Sequence, residues 1–237
     1  MKVVVIAARK GGSGKTTLVG HLAVQAERAG QGPAALIDID SQGSLSAWWN
    51  ERAAPTPVFA QTTLAGFAGD VARLRGLGIE TLFVDTPPAL GATISEVVKL
   101  ADLVVIPTRP SPHDLRSIGA TAELVEHLGK PLVFVLNGAT PRARINGEAL
   151  NVLSQHGMLA PVILHQRIDF AASMIDGRTV MELPDSSRSS EEIERLWAYV
   201  SGRLEGAAPR PRLPSLPRRP AGTTGLAMVG ASRQGTA

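Results

Sequence analysis

Along most of this chain, apolar runs of strand length alternate with longer stretches of helical period. Residues 2–8, 34–39, 81–85, 103–107, 132–137 and 162–164 are short and rich in Val, Ile and Leu. Several lack polar alternation, as strands buried on both faces do. Helical periodicity is carried near 15–29, 64–75, 92–100, 114–128, 144–155 and 190–204. Arg28-Ala29-Gly30-Gln31-Gly32 and His127-Leu128-Gly129-Lys130-Pro131 read as helix stops followed by strand starts. The alternation predicts an α/β fold, a doubly wound and mostly parallel sheet with helices on both faces. After about Gly206 the pattern ends in Pro, Arg, Gly and small residues without an apolar face. The expectation is one folded domain over 1–206 and a disordered Arg/Pro/Gly-rich tail over 207–237.

Composition narrows the chemistry. With 44% apolar residues in 237, the chain can bury one substantial core. It contains no Cys, which excludes disulfides, thiolate zinc sites and cysteine-ligated iron–sulfur clusters. Only Val3 to Ala8 separate Lys2 from Arg9, too short for a signal-peptide core, and no run approaches the roughly 18 apolar residues of a membrane span. A cytoplasmic protein without a membrane role is expected. The net charge is +3, yet Arg210, Arg212, Arg218, Arg219 and Arg233 of the acid-free tail exceed it and leave −2 on residues 1–206. Any affinity for nucleic acid must therefore come from a local patch or from the tail.

The most informative segment is Lys10-Gly11-Gly12-Ser13-Gly14-Lys15-Thr16-Thr17, which follows a buried strand and opens a helix. Glycines at 11, 12 and 14 let backbone N–H groups converge on phosphate oxygens, and the helix N-terminus adds partial positive charge. Lys15 is placed to reach the β- and γ-phosphates of a nucleotide, and the Thr16 hydroxyl to ligate Mg²⁺. The ordinary phosphate-loop pattern has Gly six residues before the lysine; here Arg9 stands there and a second lysine, Lys10, comes next.

Two acidic motifs follow. Asp38 and Asp40 end the second strand at a spacing that puts both on one face, at the sheet edge where open α/β folds bind ligands. Leu82-Phe83-Val84-Asp85 is an apolar strand ending in an acid.

The run Lys-Gly-Gly-x-Gly-Lys-Thr-Thr resembles the deviant Walker A motif of the ParA and MinD family of ATPases. Leu36-Ile37-Asp38-Ile39-Asp40-Ser41-Gln42-Gly43 is similar to that family's Asp-x-Asp-Pro-Gln-Gly motif, with Ser41 in place of proline, and Asp85 falls in its Walker B position. The resemblance covers about residues 2–205, and the chain enters its first strand at once, as in small ParA proteins without an N-terminal DNA-reading domain. It implies ATP and Mg²⁺ as cofactors, with Gly11, Gly12, Ser13, Gly14, Lys15, Thr16 and Thr17 binding nucleotide. Thr16 and Asp85 would hold the metal, Asp38 would support its environment, and Asp40 would help position the attacking water. Lys10 would cross a dimer interface to the partner's phosphates, so that Lys10, Lys15 and Asp40 form the catalytic set.

Pro107-Thr108-Arg109-Pro110-Ser111-Pro112-His113-Asp114 is similar to a family segment near the dimer face, although a rigid turn before a helix accounts for Asp114 equally well. Val133-Phe134-Val135-Leu136-Asn137 resembles the strand whose terminal Asn reads adenine; a capping or turn role is the alternative for Asn137. By resemblance Arg167, Arg178 and Arg195 are candidates for sequence-independent DNA contact, each alone being also an ordinary surface arginine. The function implied is ATP-dependent homodimerisation that segregates plasmid or chromosomal DNA on the nucleoid, with hydrolysis stimulated by a ParB-like adaptor. A positioning ATPase for another cargo, such as a chemotaxis cluster, cellulose synthesis or the division machinery, would carry the same motifs. A small-molecule kinase or amide-forming enzyme would not need Lys10.

Overall fold

The computed structural model describes residues 1–88, 91–184 and 187–206; the tail expected over 207–237 lies outside them. Seven strands form one parallel sheet: β1 (Lys2–Ile6), β2 (Ala34–Asp38), β3 (Val58–Phe59), β4 (Thr81–Asp85), β5 (Leu103–Thr108), β6 (Leu132–Ala139) and β7 (Leu159–His165). Their order across the sheet is β3-β2-β4-β1-β5-β6-β7. The helices are α1 (Lys15–Arg28), α2 (Ser44–Asn50), α3 (Phe67–Gly76), α4 (Ala92–Lys99), α5 (Pro112–His127), α6 (Arg144–His156), α7 (Ile168–Met174) and α8 (Arg188–Leu204), with a 3-10 turn at Val180–Glu182.

The apolar runs become strands buried on both faces because alternate side chains enter different cores. Val3 and Val5 join the core under α3, α4, α5 and α6, whereas Val4 and Ile6 join the one under α1, α2 and α8. The same division separates Leu82 and Val84 from Phe83, and Phe134 and Leu136 from Val133 and Val135. The doubly wound sheet expected from the alternation is therefore present, and it is parallel throughout.

Sheet order reverses around β1. The chain builds β2, β3 and β4 to one side and then crosses to β5, β6 and β7 on the other. The crevice at the C-terminal end of β1 is thus the switch point at which such sheets take ligands, and the glycine-rich loop leaves β1 there.

The periodicity did not reveal α2, β3, α7 or the 3-10 turn, all of seven residues or fewer. Their forming interactions come from elsewhere in the chain, as with the Asp38 carboxylate that holds the start of α2. Helix α5 begins at Pro112, earlier than the expected 114, because proline fits the first turn and Ser111 caps it.

Candidate functional site

Helix α1 starts without a side-chain cap and without an acid in its first turn, and its N-cap Gly14 lies at φ 94°. Its leading N–H groups are left for an outside acceptor, the condition for anion binding. Gly12 is also left-handed, at φ 73°. At Gly14 a side chain is excluded twice, since a Cβ would collide with the amide nitrogen of Asn137.

Lys15 is 6% exposed. Its Nζ has only one described hydrogen-bond acceptor, the carbonyl of Lys10 at 3.4 Å. Burial lowers its pKa, against the opposing charges of Asp85 and Asp40. A buried ammonium with one long contact fits an anion as its missing partner. Lys10, by contrast, is exposed, and its ammonium makes no hydrogen bond or ion pair among the described residues.

Asp38 and Asp85 end adjacent strands in register. Thr16 Oγ1 donates to Asp85 Oδ2 at 2.5 Å, and the backbone N–H of Thr86 donates to Oδ1 at 3.0 Å. Desolvation pushes the Asp85 carboxyl up to about 7, with the Thr16 hydrogen bond opposing it and the charge of Asp38 adding to it. A hydroxyl and a carboxylate in contact beside a phosphate cradle suit Mg²⁺, which keeps phosphate oxygens and water in most of its positions. Thr16 and Asp85 would hold that ion.

Asp38 is differently occupied. Oδ1 accepts from the N–H of Asp40 at 2.9 Å, and Oδ2 accepts from Leu45 and Ser46 at the start of α2, at 3.1 and 3.2 Å. Desolvation raises its pKa against these three bonds. With both oxygens on backbone donors, Asp38 would act on a metal at this site only through its charge and through the shape of the following loop. Asp40 Oδ1 accepts from Gln42 N–H at 3.0 Å, and its side chain borders an open space with Ser41, Thr62, Thr63 and Thr93.

On the other side of the loop, Asn137 Nδ2 donates to Ser13 O at 2.7 Å. A cavity of about 160 Å³ opens beside it, walled by Gly14, Thr17, Asn137, Leu164, Arg167 and Phe170. Asp114 belongs to the first turn of α5, which Ser111 caps: its N–H donates to Ser111 Oγ at 3.1 Å, and the Ser111 hydroxyl meets its carboxylate.

The three candidate arginines sit on separate elements. Arg167 lies at the cavity and donates to Glu192 at 2.7 Å. Arg178 pairs with Asp176 at 2.6 Å, and Arg195 is exposed on α8 without a salt bridge among the described residues.

Two residues escaped sequence reasoning. His21, fully buried, places Nδ1 2.8 Å from Thr17 O and accepts at Nε2 from the Val180 N–H at 3.2 Å. Burial depresses its pKa to about 4, leaving a neutral ring that ties α1 to the 3-10 turn. Glu192 is the other. A lone His or Glu in a helix gives no spacing signal that would single it out.

Residues 4–180 match the family model of the CobQ/CobB/MinD/ParA nucleotide binding domain. The chain is 33% identical over 211 residues to the Maintenance of carboxysome distribution protein A of Gloeobacter kilaueensis, across 83% of this chain and 95% of that one. It is 31% identical over 122 residues to Protein ParA of Rhizobium radiobacter, across 51% and 54% of the two chains. The Cyanothece McdA–ATP complex, solved for a variant, superposes with a TM-score of 0.68 at 18% identity, covering 87% of this chain and 96% of that one.

Proposed function

Because this chain belongs to the CobQ/CobB/MinD/ParA family, whose ParA- and MinD-type members are positioning ATPases, we propose that it is an ATP-switched dimer that positions cargo on DNA. In each protomer the α1 N-terminus and Lys15 bind the phosphates, while Thr16 and Asp85 hold Mg²⁺, which neutralises charge on the transferred phosphoryl group. Asp40, with one oxygen free of described hydrogen bonds, orients the attacking water. Catalysis rests on position and charge rather than on a strong base.

The observation that carries the reading is the contrast between the two lysines. Lys15 is buried in its own site, and Lys10, five residues earlier, is exposed at the same sheet edge, its ammonium without a hydrogen bond or ion pair among the described residues. Its role is to reach the phosphates of a second protomer and close a sandwich dimer. Ile168 and Ile175, 84% and 79% exposed around α7 at that edge, are consistent with a face that a second copy covers.

Sequence-independent DNA contact follows dimerisation, with Arg178, Arg195 and the tail arginines as the candidate groups, and the protein works in the cytoplasm on the nucleoid. The cargo is a DNA molecule engaged through a ParB-like adaptor, or a protein body. The second is favoured by the 33% identity to a carboxysome distribution protein. An electrophoretic shift with DNA of arbitrary sequence tests the switch: it should require MgATP and weaken steeply with salt. A shift that is equally strong without nucleotide contradicts it.

A further inference from the structure

A carboxylate is buried at a cost unless donors surround it, so a buried glutamate outside every motif needs a reason. Glu192, early in α8, is such a residue, its side chain 12% exposed. Oε1 accepts from Arg167 Nη2 and from His165 Nδ1, each at 2.7 Å, and Oε2 accepts from the His165 backbone N–H at 3.0 Å. Burial alone would raise its pKa, but the bonds from Arg167 and His165 prevail and hold the carboxyl below its usual range.

Both partners line the cavity beside the phosphate loop, together with Gly14 and Asn137. His165 ends β7 and Arg167 is the N-cap of α7. One carboxylate from α8 thus fixes the corner at which the sheet turns into that wall. The guanidinium of Arg167 depends on it, since the bond to Glu192 is its one described hydrogen bond and its Nε is buried without a partner. The bond anchors the guanidinium at the cavity, and a planar cation suits the face of a purine ring. The same pairing makes Arg167 a poorer donor to DNA phosphates than Arg178, because its side chain is 23% exposed against 45% and its carboxylate partner 12% against 51%.

We propose that Glu192 is a positioning residue for the nucleotide: through Arg167 and His165 it sets the wall on which the purine base rests, and Arg167 serves nucleotide rather than DNA binding. The proposal rests on the nucleotide site described above.

Calorimetric titration of the full chain with MgADP tests it. E192Q should raise Kd about tenfold, the loss of one charge-assisted contact, while kcat at saturating MgATP stays within about twofold. R167M should raise Kd by a similar factor, and the double variant should bind no worse than R167M alone, because both act through one group. At saturating MgATP, R167M should shift DNA at the wild-type midpoint. Wild-type affinity in folded E192Q, or DNA binding lost in R167M with Kd unchanged, overturns the proposal. Should E192Q fail to fold, R167M decides by the same two measurements. A wild-type chain that binds no MgADP overturns the nucleotide reading as well, whereas wild-type binding unaltered in both variants overturns this proposal alone.

Discussion

The amide of Asn137 donates to the carbonyl of Ser13 at 2.7 Å, joining the end of β6 to the loop that leaves β1. That contact fills the space a side chain at position 14 would need, and Gly14 is left-handed besides. Gly14→Ala should therefore displace the loop or Asn137 and weaken MgATP binding at least about a hundredfold, given roughly 1–3 kcal/mol of backbone strain and a lost brace. Fluorescent-nucleotide titration measures it; binding within a few-fold of wild type would show the loop tolerates the change.

His21 predicts an acid-side loss of stability. Its folded pKa, about 4, lies below the ordinary histidine value of 6.5, so the unfolded chain binds the proton more readily. The contribution is complete above 6.5 and declines as pH falls towards 4, by about 3 kcal/mol at most. Urea melts should show wild type losing more stability than His21→Leu across that interval. Parallel pH curves for the two would exclude His21 as the source.

Arg52, with its side chain 4% exposed, meets both carboxylate oxygens of Glu182 and the carbonyl of Gly177. Removing one partner of such a pair strands the other, so Arg52→Ala should destabilise the fold by about 3 kcal/mol. Thermal unfolding reads the effect, and an unchanged melting temperature would mean the pair contributes nothing.

Asp40→Ala should bind MgATP with wild-type affinity and hydrolyse it at least about a hundredfold more slowly, since positioning of water is what it removes. A phosphate-release assay decides, and wild-type turnover would remove Asp40 from the reaction.

The strands were legible because doubly buried segments such as Val3–Ile6 must be apolar at every position, and the loop because phosphate binding needs glycines next to lysine. What stayed hidden depends on distant partners. The spacing of Asp38 points to a metal environment but not to its partners: one oxygen accepts from the Asp40 N–H and the other from N–H groups of α2, a helix that no periodicity announces. Arg167 looked like a surface arginine until Glu192, 25 residues on, drew it into the cavity wall.

The central claim is that Lys10 and Lys15 divide dimerisation from nucleotide binding. Light scattering with and without MgATP, combined with nucleotide titration, tests it on Lys10→Ala and Lys15→Ala. Lys10→Ala should bind MgATP and remain a monomer while wild type dimerises, and Lys15→Ala should lose binding itself. A Lys10→Ala protein that dimerises on MgATP as wild type does would contradict the account.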